Sequence, residues 1–172
     1  MSLHSFKYRF RSISEISPQI LKEIGVKGVA VDLDNTLIYD GTLRLFENAL
    51  SWTKSIKAAN IPIIILSNAT PIRASLAARK LGLDCISFAR KPSPKALFSA
   101  AEKLGVDISQ LGMIGDQIFA DVEAANTAGA IPLLVDPKEP EKYFRKHFTK
   151  IRNREKPLLD EFNKKTGYHI KK

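Results

Sequence analysis

Short apolar runs alternate with amphipathic stretches along most of this 172-residue chain. The runs Gly28 to Leu33, Ile61 to Leu66, Asp84 to Phe88, Leu111 to Ile114 and Ile131 to Val135 predict strands. Between them, Glu47 to Ala59, Pro71 to Leu81, Pro94 to Leu104 and Ile118 to Ala128 repeat apolar positions at helical spacing. Thr70-Pro71 and Ser93-Pro94 read as an N-cap followed by Pro at the first helical position. Gly82, Gly105 and Gly129 read as helix stops. The alternation predicts an α/β fold, a three-layer Rossmann-like sandwich with a mostly parallel sheet and helices on both faces. Residues 1–25 read as an N-terminal extension and 26–137 as the core of a single domain. After Pro137 the alternation lapses, and residues 138–172 predict one or two basic helices with Tyr143, Phe144 and Phe148 as a packing stripe.

Ligands in folds of this kind bind beyond the carboxyl ends of the strands. The polar residues of the chain collect there. Asp32 and Asp34 end the first predicted strand, Ser67-Asn68 the second, Arg90-Lys91-Pro92 follows the third and Gly115-Asp116-Gln117 ends the fourth. In an extended segment positions i and i+2 point the same way, so Asp32 and Asp34 are expected to address one bound group. One carboxylate can then attack phosphorus while the other moves protons.

Composition changes this picture little. Hydrophobic residues at 44% and charged residues at 26% are ordinary for a globular chain, against disorder. Cys85, the only cysteine, excludes an internal disulfide and reads as a small buried thiol. No run of about 18 apolar residues exists to span a bilayer. Lys7, Arg9 and Arg11 precede no apolar stretch, so a signal peptide is not expected and a cytoplasmic setting is.

Charge adds more. The net charge is +9, yet residues 26–137 balance eleven basic against eleven acidic side chains. Residues 1–25 carry four basic and two acidic groups, and residues 138–172 carry twelve and five. A neutral body with basic margins predicts an anionic partner, a phospholipid surface or nucleic acid, or simply a solvated surface. His4, His147 and His169 form no metal-ligand pattern and are assigned no function.

Asp-Leu-Asp-Asn-Thr, Leu-Ser-Asn, Lys-Pro and Gly-Asp-Gln-Ile-Phe-Ala-Asp-Val, in that order, resemble the four motifs of the haloacid dehalogenase (HAD) superfamily of phosphatases. In detail they resemble its YqeG-like subfamily, related to phosphatidylglycerophosphate phosphatases. Ala120 departs from the Thr usual there. The resemblance implies that Asp32 is a nucleophile forming an aspartyl-phosphate and that Asp34 is the acid, then the base. It implies Mg²⁺ held by the Asp32 carboxylate, the Asp34 backbone carbonyl and Asp116, with Asp121 supporting that metal shell. Ser67 and the Asn68 backbone N–H would bind phosphoryl oxygens, and Lys91 would neutralise charge between nucleophile and phosphate. Thr36 would steady the loop, and Arg73 is expected to face solvent.

The gaps from Thr36 to Ser67 and from Asn68 to Lys91 have no room for the family's large cap insertions. A capless enzyme with an open site is therefore expected, suited to phosphates on bulky carriers. A Mg²⁺-dependent phosphomonoesterase acting on phosphatidylglycerophosphate or a similar anionic lipid, peripheral on the membrane, leads the readings. A nucleic-acid- or ribosome-associated protein, and a soluble metabolite phosphatase closed by a partner subunit, are the alternatives.

Overall fold

Five of the strands follow from the apolar runs, and a sixth joins them from the N-terminal segment. The computed structural model describes residues 2–139 and 146–168. Its strands are β1 (Tyr8–Phe10), β2 (Gly28–Val31), β3 (Ile63–Leu66), β4 (Asp84–Ile86), β5 (Leu111–Gly115) and β6 (Ile131–Val135). They form one six-stranded sheet in the order β1-β6-β5-β2-β3-β4, with every neighbouring pair parallel. Its helices are α1 (Pro18–Ile24), α2 (Ala49–Ala58), α3 (Pro71–Leu81), α4 (Lys95–Leu104), α5 (Glu123–Ala128) and α6 (Lys146–Thr166).

Successive strand residues face opposite sides of the sheet, and this builds two cores. Val29, Val31, Ile63 and Ile65 pack on one side against Leu21, Trp52, Ile56 and Leu81. Ala30, Ile64, Leu66 and Met113 pack on the other against Leu97, Ala100 and the alanines of α5. Each buried Val, Leu or Ile contributes about 1.5–3 kcal/mol. The chain runs from β2 outward through β3 to β4, then crosses back to place β5 on the other flank of β2. That reversal opens a crevice at the carboxyl ends of β2 and β5.

Element ends shift in places. β2 stops at Val31 rather than Leu33, so Asp32 and Asp34 lie just past the strand. Pro94 itself occupies the N-cap of α4, one residue after the expected cap. The predicted helix over 118–128 begins as a π-helical turn, Ile118–Val122, before α5. Gly82, Gly105 and Gly129 do stop their helices, each in the left-handed conformation.

Among the described residues the tail forms one helix, α6, which docks on the body. Leu158 and Leu159 of α6 pack on Ile118, Val122 and Leu134, Phe162 stacks on Phe6 at 4.8 Å, and Arg9 donates to Asn163 Oδ1 at 2.7 Å. These residues carry the packing of the described part of the tail. Phe148 instead lines a cavity at the carboxyl edge of the sheet, and Tyr143, Phe144 and His169 lie outside the described residues.

Candidate active site

The strand ends converge on a cavity of about 350 Å³, lined by Asp32, Asp34, Ser67, Asn68, Lys91 and Asp121 among others. Asp32 is fixed by its backbone, whose N–H donates to the Ile114 carbonyl at 2.8 Å and extends the β2–β5 ladder by one step. The Lys91 ammonium donates to Asp32 Oδ1 at 2.7 Å, Asp121 Oδ1 at 2.6 Å and the Leu66 carbonyl at 3.0 Å. Three acceptors use all three of its N–H groups. Asn68 holds Lys91 from behind: its Oδ1 accepts from Lys91 N at 2.8 Å, and its Nδ2 donates to the Lys91 carbonyl at 3.2 Å. The buried Ser67 Oγ accepts from Ala69 N at 3.1 Å.

The turn after β5 brings two more carboxylates inward. Gly115 is required there, because a Cβ at that position would lie 2.2 Å from the Asp121 carboxylate. Asp121 Oδ2 accepts from Gln117 N at 3.0 Å. Asp116 is ion-paired through Oδ2 to Arg152 of α6, whose Nη1 also donates to the Asp116 carbonyl at 2.5 Å. Asp116 Oδ1 is buried and has no hydrogen-bond partner among the described residues. Glu155, 1% exposed, accepts from Ile118 N at 2.6 Å and pairs with Arg152 at 3.0 Å.

Carboxylate oxygens of Asp32, Asp116 and Asp121 all lie within 4.8 Å of one another. With Glu155, four buried carboxylates face two cationic partners among the described residues, Lys91 and Arg152. Burial pushes the Asp32 carboxyl up to about 7, with Lys91 pulling it back and Asp121 adding to the rise. Burial likewise lifts Asp116 well above the usual carboxylate range, against the pull of Arg152. Burial also works against the Lys91 ammonium, but Asp121 and Asp32 together outweigh it and hold its pKa above the ordinary value. The deficit of positive charge and the orphaned Asp116 oxygen both fit a divalent cation among these carboxylates.

Two expectations change. Arg73 does not face solvent: its guanidinium grips both Asp34 oxygens, one at 2.8 Å, and reaches the Thr42 carbonyl. Gly41 N donates to Asp34 Oδ1 at 2.8 Å as well. Asp34 therefore lines the same cavity as Asp32 but turns its carboxylate toward α3. The site has no inserted cap, yet His147 and Phe148 at the start of α6 form one of its walls. His147 thus has a place that its sequence context did not suggest. Arg152 and Glu155 were missed too, since an Arg-x-x-Glu step in a basic helix looks like any solvated pair.

A sequence model of the haloacid dehalogenase-like hydrolases matches residues 39–129. The chain belongs to that family. It is 35% identical over 127 residues to the probable phosphatase YqeG of Bacillus subtilis, covering 74% of each chain. It is 35% identical over 85 residues to a phosphoglycolate phosphatase of Neisseria meningitidis, covering 44% of this chain and 36% of the other. A HAD family hydrolase from Deinococcus radiodurans, solved with phosphate and sodium, shares the fold with a TM-score of 0.56 at 19% identity, covering 68% of this chain and 84% of that one. A HAD-superfamily hydrolase from Ehrlichia chaffeensis does so with a TM-score of 0.56 at 19% identity, covering 78% and 98%.

Proposed function

We propose that this hydrolase is a Mg²⁺-dependent phosphomonoesterase working through an aspartyl-phosphate on Asp32. The convergence of Asp32, Ser67, Lys91 and the Asp116–Asp121 turn on one cavity is the observation that carries the reading. Asp32 attacks phosphorus through a carboxylate oxygen, and the bond from phosphorus to the alcohol oxygen breaks as the new one forms. Asp34 protonates the departing alcohol. It then takes a proton from the water that attacks the same phosphorus, which restores the Asp32 carboxylate and releases inorganic phosphate. To serve as the acid, Asp34 opens its pair with Arg73 when substrate enters. The Ser67 hydroxyl and the Asn68 backbone N–H hold phosphoryl oxygens, and Lys91 keeps its charge beside Asp32. Asp32, the Asp34 carbonyl and Asp116 would hold Mg²⁺, with Asp121 behind them, and the ion would offset charge on the phosphoryl oxygens.

The substrate we propose is a phosphate on a bulky anionic lipid, phosphatidylglycerophosphate or a relative, at the cytoplasmic face of a membrane. Ile72 is 77% exposed, Phe88 56% and Leu76 40%. Ile72 precedes the cavity residue Arg73, and Phe88 N donates to the carbonyl of Ala69, also a cavity residue. Residues 48–101 carry eight basic side chains and one acidic, Asp84, at the amino end of β4 away from the mouth. Apolar side chains close to the exposed Arg90 and Lys95 suit an anionic lipid interface. Among the described residues no helix is long and apolar enough to cross a membrane, which accords with peripheral binding.

Phosphate release from phosphatidylglycerophosphate in phosphatidylglycerol vesicles, compared with release from soluble phosphomonoesters, tests the proposal. A higher kcat/KM on vesicles is expected. Turnover of soluble phosphates with none from vesicles would reassign the enzyme to soluble metabolites. Salt-sensitive RNA binding that survives Asp32→Asn, without phosphatase activity, would favour the nucleic-acid reading.

A further inference from the structure

The C-terminal helix does more than pack. The Arg152 guanidinium reaches Asp116 Oδ2, the Asp116 carbonyl at 2.5 Å and Glu155 Oε2 at 3.0 Å. The grip covers one carboxylate oxygen of Asp116 and leaves the other, Oδ1, buried and without a hydrogen bond among the described residues. Asp116 carboxylate atoms also lie within 4.8 Å of those of Asp32 and Asp121. Glu155 anchors the arrangement from the opposite side, because it accepts from Ile118 N at the start of the π-helical turn that carries Asp121.

We infer that Arg152 is a positioning residue of the catalytic centre, fixing Asp116 so that Oδ1 alone is presented to the divalent cation. A fork donor suits this task, since two nitrogens of fixed separation set both the rotation of the carboxylate and its distance from the backbone. Glu155 locks the fork, so α6 and the Asp116–Asp121 turn move as one body. The inference rests on the metal-dependent reading given above and assigns residues of α6 to that same site. It also gives part of the basic tail a task inside the enzyme rather than at an external partner.

The test measures Mn²⁺ binding to the purified full chain by electron paramagnetic resonance, beside Mg²⁺-dependent turnover. Arg152→Gln is expected to weaken Mn²⁺ binding by about 10- to 100-fold, the usual effect of losing a group that orients a ligand. The Mg²⁺ concentration needed for half-maximal turnover should rise in step, while KM for substrate at saturating Mg²⁺ changes less. Arg152→Lys keeps the charge but not the fork, and should recover only part of the affinity. Leu158→Ala loosens the packing of α6 without touching the fork. It should lower the melting temperature yet leave Mn²⁺ affinity within about twofold at 20 °C, which separates positioning from stability. Asp116→Asn checks the underlying reading: if the wild type binds no Mn²⁺, or this variant binds it normally, the metal site is misplaced. If the wild type binds Mn²⁺ through Asp116 but folded Arg152→Gln and Arg152→Lys bind it as well or better, the inference about Arg152 is wrong. Should Arg152→Gln fail to fold, Arg152→Lys alone decides between these outcomes.

Discussion

Asp32 and Asp34 differ by two positions in sequence and by their whole environment in space. Asp32 is locked to Lys91 in a buried cluster, whereas Asp34 is held by Arg73 and Gly41 at the rim. Proximity at the end of an apolar run was legible from spacing. The Arg73 grip was not, because a guanidinium one turn into a helix has no local signature that separates it from a solvated one. Arg73→Ala removes the pair that has to open, so turnover of alkyl phosphates should rise about 2- to 10-fold and that of aryl phosphates less, since good leaving groups need little help from Asp34. A loss on both substrates would show that Arg73 does something other than restrain the acid.

The Asp32 carboxyl has a folded value of about 7 against an ordinary 3.8. A folded value above the unfolded one favours folding with the proton on: the contribution is full below about 3.8 and lost as pH rises through about 7. The melting temperature of the metal-free protein should therefore fall between about pH 4 and pH 7. Saturating Mg²⁺ should remove much of that fall, because a bound cation replaces the proton, and its binding should release protons to the buffer. Thermal scans with and without chelator at several pH values check both; coincident curves would contradict the cation site. Asp32→Asn should abolish hydrolysis while leaving the fold intact, and its metal-free melting temperature should vary less with pH.

Among the elements, long periodic segments were read well and short or composite ones were not. α3 spans Pro71–Leu81 and β6 spans Ile131–Val135 as their patterns predict. β1 has three residues, too few for a period to show, and it exists because β6 offers an open edge. The π-helical turn at Ile118–Val122 was hidden inside a helical pattern. Its geometry suits its place, since it turns Asp121 back under Gly115, and such insertions recur at functional sites. Gly115→Ala forces a Cβ into the Asp121 carboxylate. The expected cost is about 1–3 kcal/mol of stability, with loss of most activity as Lys91 loses an acceptor. Denaturant melts and a phosphatase assay measure the two effects, and a stable, active variant would show that the turn tolerates displacement.

Across the molecule, the sheet sets three regions side by side. The carboxylate cluster sits at β2 and β5, the exposed apolar residues lie toward β4, and the segment around Phe6 and Arg9 meets α6 beside β1. The net charge of +9 was legible, but its destination was only partly so: Arg152 of the basic tail turns inward to Asp116, while Lys150, Lys156, Lys164 and Lys165 stay on the surface. If the exposed apolar residues dock on lipid, the double variant Ile72→Ser with Phe88→Ser should lower the ratio of vesicle to soluble-substrate turnover about 10-fold or more. An unchanged ratio, read together with vesicle flotation, would count against that docking.

The pairing of β1 with β6 also fixes a timetable. Within this chain Tyr8–Phe10 is synthesised before every other strand, yet its neighbour in the sheet is Ile131–Val135. During translation β1 waits without a strand partner while the central strands assemble, and Arg152 and Glu155 reach Asp116 and Ile118 later still. A nascent chain arrested before residue 152 would carry every motif residue and still lack the grip on Asp116, so the candidate site is assembled only after α6 has been made.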